Sequence, residues 1–267
     1  MDFETLTFDV DGVHTVVKAI GKGPAVLALH GAATLEGCEW AGGLANRFRV
    51  YLPFHPGFGE SGAAPHLVGM QDIIVHNLRL LSALRLEKPH LIGHSMGGWM
   101  AAEMATFAGD LFNRLVLNAP AGLNHPDYPA TDLSRISPQD LPGYLAHRVD
   151  VALRYFPGGL EAPPPEEFAA AREKEGAALT NILKVHGFGH PNLGRWLSHI
   201  PNETLIVWGD KDRLLPASQA GVWAKLIPNA RVHIVRDVGH FAMQEEPETV
   251  TVMGDFLGRG HSKEGTP

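Results

Sequence analysis

In the stretch PHLIGHSMGGWMAAEMA, residues 89–105, Ser95 stands between two glycines, with an apolar segment before it and a long apolar run after. A strand that turns there into a helix would hold the serine on a sharp, strained corner, its hydroxyl lifted clear of the sheet edge. Side chains at 93 and 97 would collide across such a corner, so Gly93 and Gly97 have a steric reason to be there. The helix that follows aims free N–H groups at the same point, which favours an oxyanion. Met96 N–H is the first candidate donor. The loop LHGAA at 29–33 offers a second from Ala32, or failing that from Ala33.

A hydroxyl needs a base to become a nucleophile. Of fifteen histidines, His240 in RDVGH ends the last strand and emerges at the same edge as Ser95. His94 is expected to face away from the turn, His233 lies inside a strand and His261 is in the tail. The base in turn needs an orienting carboxylate, and VWGDKDRLLP supplies Asp210 and Asp212. Asp210 is so close to its strand end that the turn itself is its natural place; Asp212 is far enough out to reach an imidazole. The expected chemistry is covalent acyl transfer by Ser95, His240 and Asp212, with no metal and no organic cofactor.

These residues need elements to carry them to one place. Residues 3–9 and 13–20 alternate around Asp11-Gly12 and predict a hairpin. The runs at 25–31, 49–53, 89–95, 113–120, 204–210 and 230–240 are mostly short and apolar, as strands are when helices cover both faces of a parallel sheet. Helical spacing separates most of them, at 70–85, 96–108, 217–227 and 245–258. Met96, Met100, Met104 and Phe107, with Glu103 the only charge, predict a buried helix. The expected fold class is α/β: a mostly parallel eight-stranded sheet with helices on both faces.

The segment 120–201 breaks this rhythm. It shows no convincing strand, but Leu141, Leu145, Val149, Ala152 and Phe156 recur at helical spacing, and a second helical pattern follows APPP at 162–165. A structureless loop of that length is improbable, so 120–201 is expected to be an inserted helical lobe on a core of 1–119 and 202–258. Residues 259–267 read as a frayed tail.

The 267-residue chain carries a formal charge of −7 with no Lys/Arg cluster, which argues against a nucleic-acid partner. No apolar run approaches the ~20 residues of a membrane span. The acidic N-terminus is unlike a secretory signal. The single cysteine, Cys38, excludes an internal disulfide and fits a reducing compartment. A cytoplasmic protein with a small-molecule substrate is expected, with self-association left open. The histidines of HGFGH (186–190), HPDY and His199 lack the company and spacing of a metal site.

In this order, GHSMGG, WGDKDRLLP and GHFAMQEEPE resemble the α/β-hydrolase superfamily, and LALHGAA resembles its H-G oxyanion motif. The resemblance spans residue 1 to about 258 and implies Ser95 as nucleophile, Asp212 as acid, His240 as base and 120–201 as a cap over the site. HPGFGES at 55–61 matches the family's glycine-rich loop, except that His55 stands where aspartate is common. The cap is expected to form an apolar acyl or aryl pocket from Leu141, Leu145, Phe156, Leu183, Phe188 and Trp196. His30 and Trp99 are added as candidate lining, although bracing and core packing also suit them. A carboxylic ester hydrolase is the leading expectation. The alternatives are a carbon–carbon bond hydrolase of aromatic ring-cleavage products, a lactonase or perhydrolase, and a small-ligand receptor on the same fold. A haloalkane dehalogenase is disfavoured, because it needs a carboxylate where Ser95 stands.

Overall fold

The computed structural model describes residues 2–159 and 163–259. The chain opens with a hairpin, β1 (Glu4–Val10) and β2 (Val13–Ile20), and continues through β3 (Ala25–Leu29) and β4 (Arg49–Pro53) to α1 (Met70–Ala83). Then come β5 (His90–His94), α2 (Met96–Ala108) and β6 (Leu115–Asn118). Four helices follow before the next strand: α3 (Leu141–Leu145), α4 (Val149–Leu153), α5 (Glu166–Leu183) and α6 (Leu193–Trp196). The chain closes with β7 (Thr204–Gly209), α7 (Gln219–Leu226), β8 (Ala230–Val235), α8 (Ala242–Glu245) and α9 (Pro247–Leu257). The eight strands form one sheet in the order β1-β2-β4-β3-β5-β6-β7-β8, and β2 alone runs against its neighbours.

The hairpin turns at Asp11 and Gly12, both with positive φ (52° and 81°), the conformation that suits the twist of two paired strands. The central strands have no polar face, yet the pleat still sorts them. Leu27, Leu29, Leu91, Leu117 and Ile206 join α1, α2 and α7 in one core. Val26, Ala28, Ile92, Val116 and Val207 pack with α9 and the 3₁₀ helix Glu39–Leu44 in the other. Helices cover both faces of the central strands, which are buried between them, while the edge strands β1 and β8 are largely exposed.

Three expectations change. Phe107 is 60% exposed at the end of α2, although the preceding positions of the helix are buried. The strand expected over 230–240 stops at Val235, and Asp237, with φ 56°, turns the chain into the loop that carries His240. The pattern from Leu141 to Phe156 is split into α3 and α4, because Ala146 between them is extended (φ −136°, ψ 145°) and close against Gly239. The tail expected over 259–267 lies, after Arg259, outside the described residues.

Candidate active site

Ser95 occupies the single step between β5 and α2, with φ 53° and ψ −117°, a combination an L-residue adopts only when its surroundings enforce it. Its N–H donates to Asn118 O at 3.0 Å, and its carbonyl accepts from Trp99 N–H at 3.1 Å and Ala121 N–H at 2.9 Å. A Cβ at Gly93 would stand 2.2 Å from Gly97 O, and one at Gly97 2.3 Å from Leu29 O. The first glycine therefore serves the corner itself, whereas the second lets α2 start against the end of β3.

The loops after β7 and β8 bring the other two predicted residues together. His240 Nδ1 lies 2.8 Å from Asp212 Oδ2, with both side chains buried. The second oxygen of Asp212 accepts Leu214 N–H and Leu215 N–H, each at 2.9 Å, which fixes the carboxylate from behind. Asp210 faces elsewhere: it accepts Asp237 N–H at 2.7 Å and pairs with Lys211 at 2.8 Å, and both contacts hold its pKa below the ordinary value. With Nδ1–H committed to Asp212, His240 keeps Nε2 free to take a proton.

The loop after β3 is braced from beneath. His30 Nε2 accepts His55 N–H at 3.0 Å, and Nδ1 donates to Gly31 O at 2.9 Å. Burial lowers the His30 pKa to about 4, so the ring stays neutral in the role this geometry requires. The His55 ring packs against it, tilted by 39° with 4.0 Å between centroids, and burial followed by the neighbouring His30 pushes its pKa well down. The histidine in place of the common aspartate is thus a second brace for the same loop.

Ser95, His240, Ala32 and Ala33 all open into one cavity of about 790 Å³ beneath the segment between β6 and β7. Leu141, Leu145 and Phe188 line it as predicted. The other expected lining residues do not. Trp99 is fully buried with its indole N–H on Glu103. His30 stands behind the oxyanion loop, at a smaller cavity. Phe156 and Leu183 pack into the main core. Trp196 stacks on His190 at 4.1 Å, where α6 packs against α2. Helical spacing chose these residues by burial, and burial does not distinguish a pocket wall from a core.

The wall also includes residues not foreseen: Leu35, Leu133, Leu179, Leu214, Leu215 and Phe241. Leu214 and Leu215 were legible, since their N–H groups bind Asp212 and so must sit at its side. His94 is a further correction. It borders the cavity with its ring 4.7 Å from that of His240, and Asn118 Nδ2 lies 2.9 Å from its Nδ1. Burial, with His240 as the second cause, pushes its pKa well down, so it adds no charge beside His240. Among the described residues, no Lys or Arg lines this cavity and no cluster of His, Cys, Asp and Glu could hold a metal. No helix there is long and apolar enough to cross a membrane.

Residues 26–252 match the model of the alpha/beta hydrolase family. The chain belongs to that family. This hydrolase is 27% identical to 2-hydroxy-6-oxo-6-phenylhexa-2,4-dienoate hydrolase of Comamonas testosteroni, over 89% of its own chain and 88% of the relative. It is similar in structure to a membrane phospholipase A, a bacterial virulence factor, with a TM-score of 0.80 and 25% identity over 96% of this chain and 86% of the other. A serine hydrolase of carbazole degradation shares the fold at a TM-score of 0.77 and 23% identity, over 96% and 99% of the two chains.

Proposed function

We propose that this hydrolase cleaves carboxylic esters with a small, largely apolar acyl or aryl group. The observation that carries the reading is the buried 2.8 Å His240–Asp212 pair bordering the same apolar cavity as the strained Ser95. In this reading His240 takes the Ser95 proton as Oγ attacks the carbonyl, and Asp212 holds the tautomer and stabilises the imidazolium. Met96 and Ala32 N–H groups receive the oxyanion. His240 then protonates the leaving alcohol and activates the water that releases the acid. The segment over 120–201 acts as the cap that keeps this cavity apolar.

Carbon–carbon bond cleavage of an aromatic ring-cleavage product is the second reading, favoured by the similarity to the dienoate hydrolase. Such a substrate brings a carboxylate, and burying it without a cation is costly. The cavity wall has no Lys or Arg, which favours the neutral ester. The test is a panel of p-nitrophenyl esters of graded chain length, with wild type and Ser95→Ala, alongside labelling by a fluorophosphonate. Turnover and labelling by wild type alone are expected. A wild type that hydrolyses none of the esters and leaves Ser95 unlabelled removes the reading.

A further inference from the structure

Glu175 is a carboxylate in the inserted segment, on α5, yet it is only 2% exposed and its partners lie in the loops of the sheet edge. Oε1 accepts the Thr34 hydroxyl at 2.7 Å and Gly59 N–H at 3.0 Å. Oε2 accepts Thr34 N–H at 3.1 Å and lies 2.8 Å from Arg172 Nη1, one turn earlier on the same helix. Arg172 Nη2 also donates to the Thr34 hydroxyl at 2.9 Å. Thr34 begins the short 3₁₀ turn Thr34–Glu36, and Ala33 before it has no side chain to cap the turn. The carboxylate that receives its first N–H comes instead from 141 residues away.

Ala32 and Ala33 precede Thr34 directly and both border the cavity with Ser95. The span that holds them is therefore tied down at each end. Its near end is His30, locked to the body through His55 N–H. Its far end is Thr34, locked to the inserted segment through Glu175.

We propose that Glu175 is a positioning residue for the oxyanion hole: seating α5 on Thr34 sets the direction of the Ala32 N–H, so the inserted segment completes the site as well as covering it. This rests on the ester-hydrolase reading, because it takes Ala32 N–H as an oxyanion donor. With Glu175 removed, the Thr34 end of this span loses the carboxylate that holds its N–H and hydroxyl, and is left with the contact from Arg172 to that hydroxyl. A donor that swings away no longer meets the tetrahedral oxygen, although the apolar wall that binds the ground state is still present.

α5 itself supplies the control. Lys174 Nζ donates to Gly59 O at 2.7 Å and Ser61 O at 3.0 Å, so it also ties α5 to the sheet edge, but through the loop after β4 alone. The experiment measures kcat, KM and inhibition by an alkylboronic acid, whose tetrahedral adduct places an oxygen in the oxyanion hole. Glu175→Ala and Glu175→Gln are expected to lower kcat roughly 10- to 100-fold and to weaken boronate inhibition by a similar factor. KM should move by no more than about threefold. Thr34→Val, which keeps the backbone N–H, should fall between these and wild type, and Lys174→Ala should stay near wild type on both measures. If Glu175→Ala does not fold, Glu175→Gln and Thr34→Val decide the matter. Unchanged boronate inhibition in the Glu175 variants of an active enzyme overturns the inference alone, as does an equal loss in Lys174→Ala. A wild type that neither turns over esters nor binds the boronate removes the ester reading and this inference with it.

Discussion

Two buried glutamates clamp the site to the inserted segment from opposite sides, and they do so in opposite directions. Glu245 belongs to the sheet's own chain, in α8, and reaches out to the insertion: Oε1 accepts Gly239 N–H at 2.8 Å and His147 N–H at 3.0 Å, and Oε2 accepts Arg148 N–H at 2.9 Å. It joins the residue before His240 to the start of α4, and Phe241 N–H adds a bond of 2.8 Å to Leu145 O. Glu175 belongs to the insertion and reaches in, to the loop of Ala32. The His240 side keeps two anchors of its own, Asp212 and Glu245, both in the last third of the chain, beside the bond from Phe241 to Leu145 of the insertion. The oxyanion side takes one anchor from the body and one from the insertion. Disturbing the inserted helices should reach the oxyanion loop before it reaches the base.

The sharpest way to break this contrast is on the base side. Asp212→Asn is expected to lower kcat by about 10⁴, because the amide donates where the imidazole needs an acceptor and the wrong tautomer is held. Asp210→Asn, by contrast, should stay within about tenfold of wild type. Equal losses in steady-state ester turnover would erase the distinction between the two aspartates. Next in size is Glu245→Ala, which strands three buried or half-buried N–H groups at once. A stability loss of about 3 kcal/mol or more by denaturant unfolding is expected. A loss below about 1 kcal/mol would show that the clamp on Gly239 and α4 is dispensable.

The cavity wall should respond more gently. Leu141→Ala and Phe188→Ala remove apolar lining contributed by the insertion. They are expected to shift the preferred ester chain length, with changes in kcat/KM of roughly 10- to 100-fold on the best short substrate and less on longer ones. A uniform loss across the panel would place these side chains in the support of the site and not in its specificity.

A third buried glutamate gives the contrast its reference. Glu103 on α2 accepts the Trp99 indole N–H at 2.5 Å and faces the Gln71 amide Nε2 at 3.5 Å. Burial raises its pKa from 4.5 to about 7, despite the opposing bonds from Trp99 and Gln71. The folded state therefore keeps a proton that the unfolded chain releases above pH 4.5. Stability should fall as pH rises from about 4.5 to about 7 and level off above that, by on the order of 3 kcal/mol at most. Glu103→Gln should flatten that part of the profile with little effect on turnover at pH 7. An unchanged slope in urea titrations across this range would mean that Glu103 is ionised in the fold.

Much of this was legible before any coordinates. The apolar runs placed the strands, and GHSMGG followed by the DKDR and VGHF segments gave the order of Ser95, Asp212 and His240. The choice of Asp212 over Asp210 was also open to reading, because one residue sits at a strand end and the other two places beyond it. The pocket was only half legible. The apolar pattern of 120–201 found Leu141, Leu145 and Phe188, but it equally selected Phe156, Leu183 and Trp196, which do not line the cavity.

What the sequence determined by itself is local and periodic: a hairpin and a set of short apolar strands, a serine on a corner that only glycines permit at 93 and 97, and an aspartate and a histidine in the loops after successive strands. What only the tertiary structure decided is which distant groups meet. Nothing within a few residues marks Glu175 in AREKEG or Glu245 in QEEPE for burial. Thr34 and Gly59 lie 141 and 116 residues from Glu175, His147 and Arg148 lie 98 and 97 residues from Glu245, and burial of a charge depends on such donors. The same holds for His94, expected to face away from the turn but found with its ring 4.7 Å from that of His240. Periodicity fixes the face on which a side chain lies, and only the packing of loops and inserted helices fixes what it touches there.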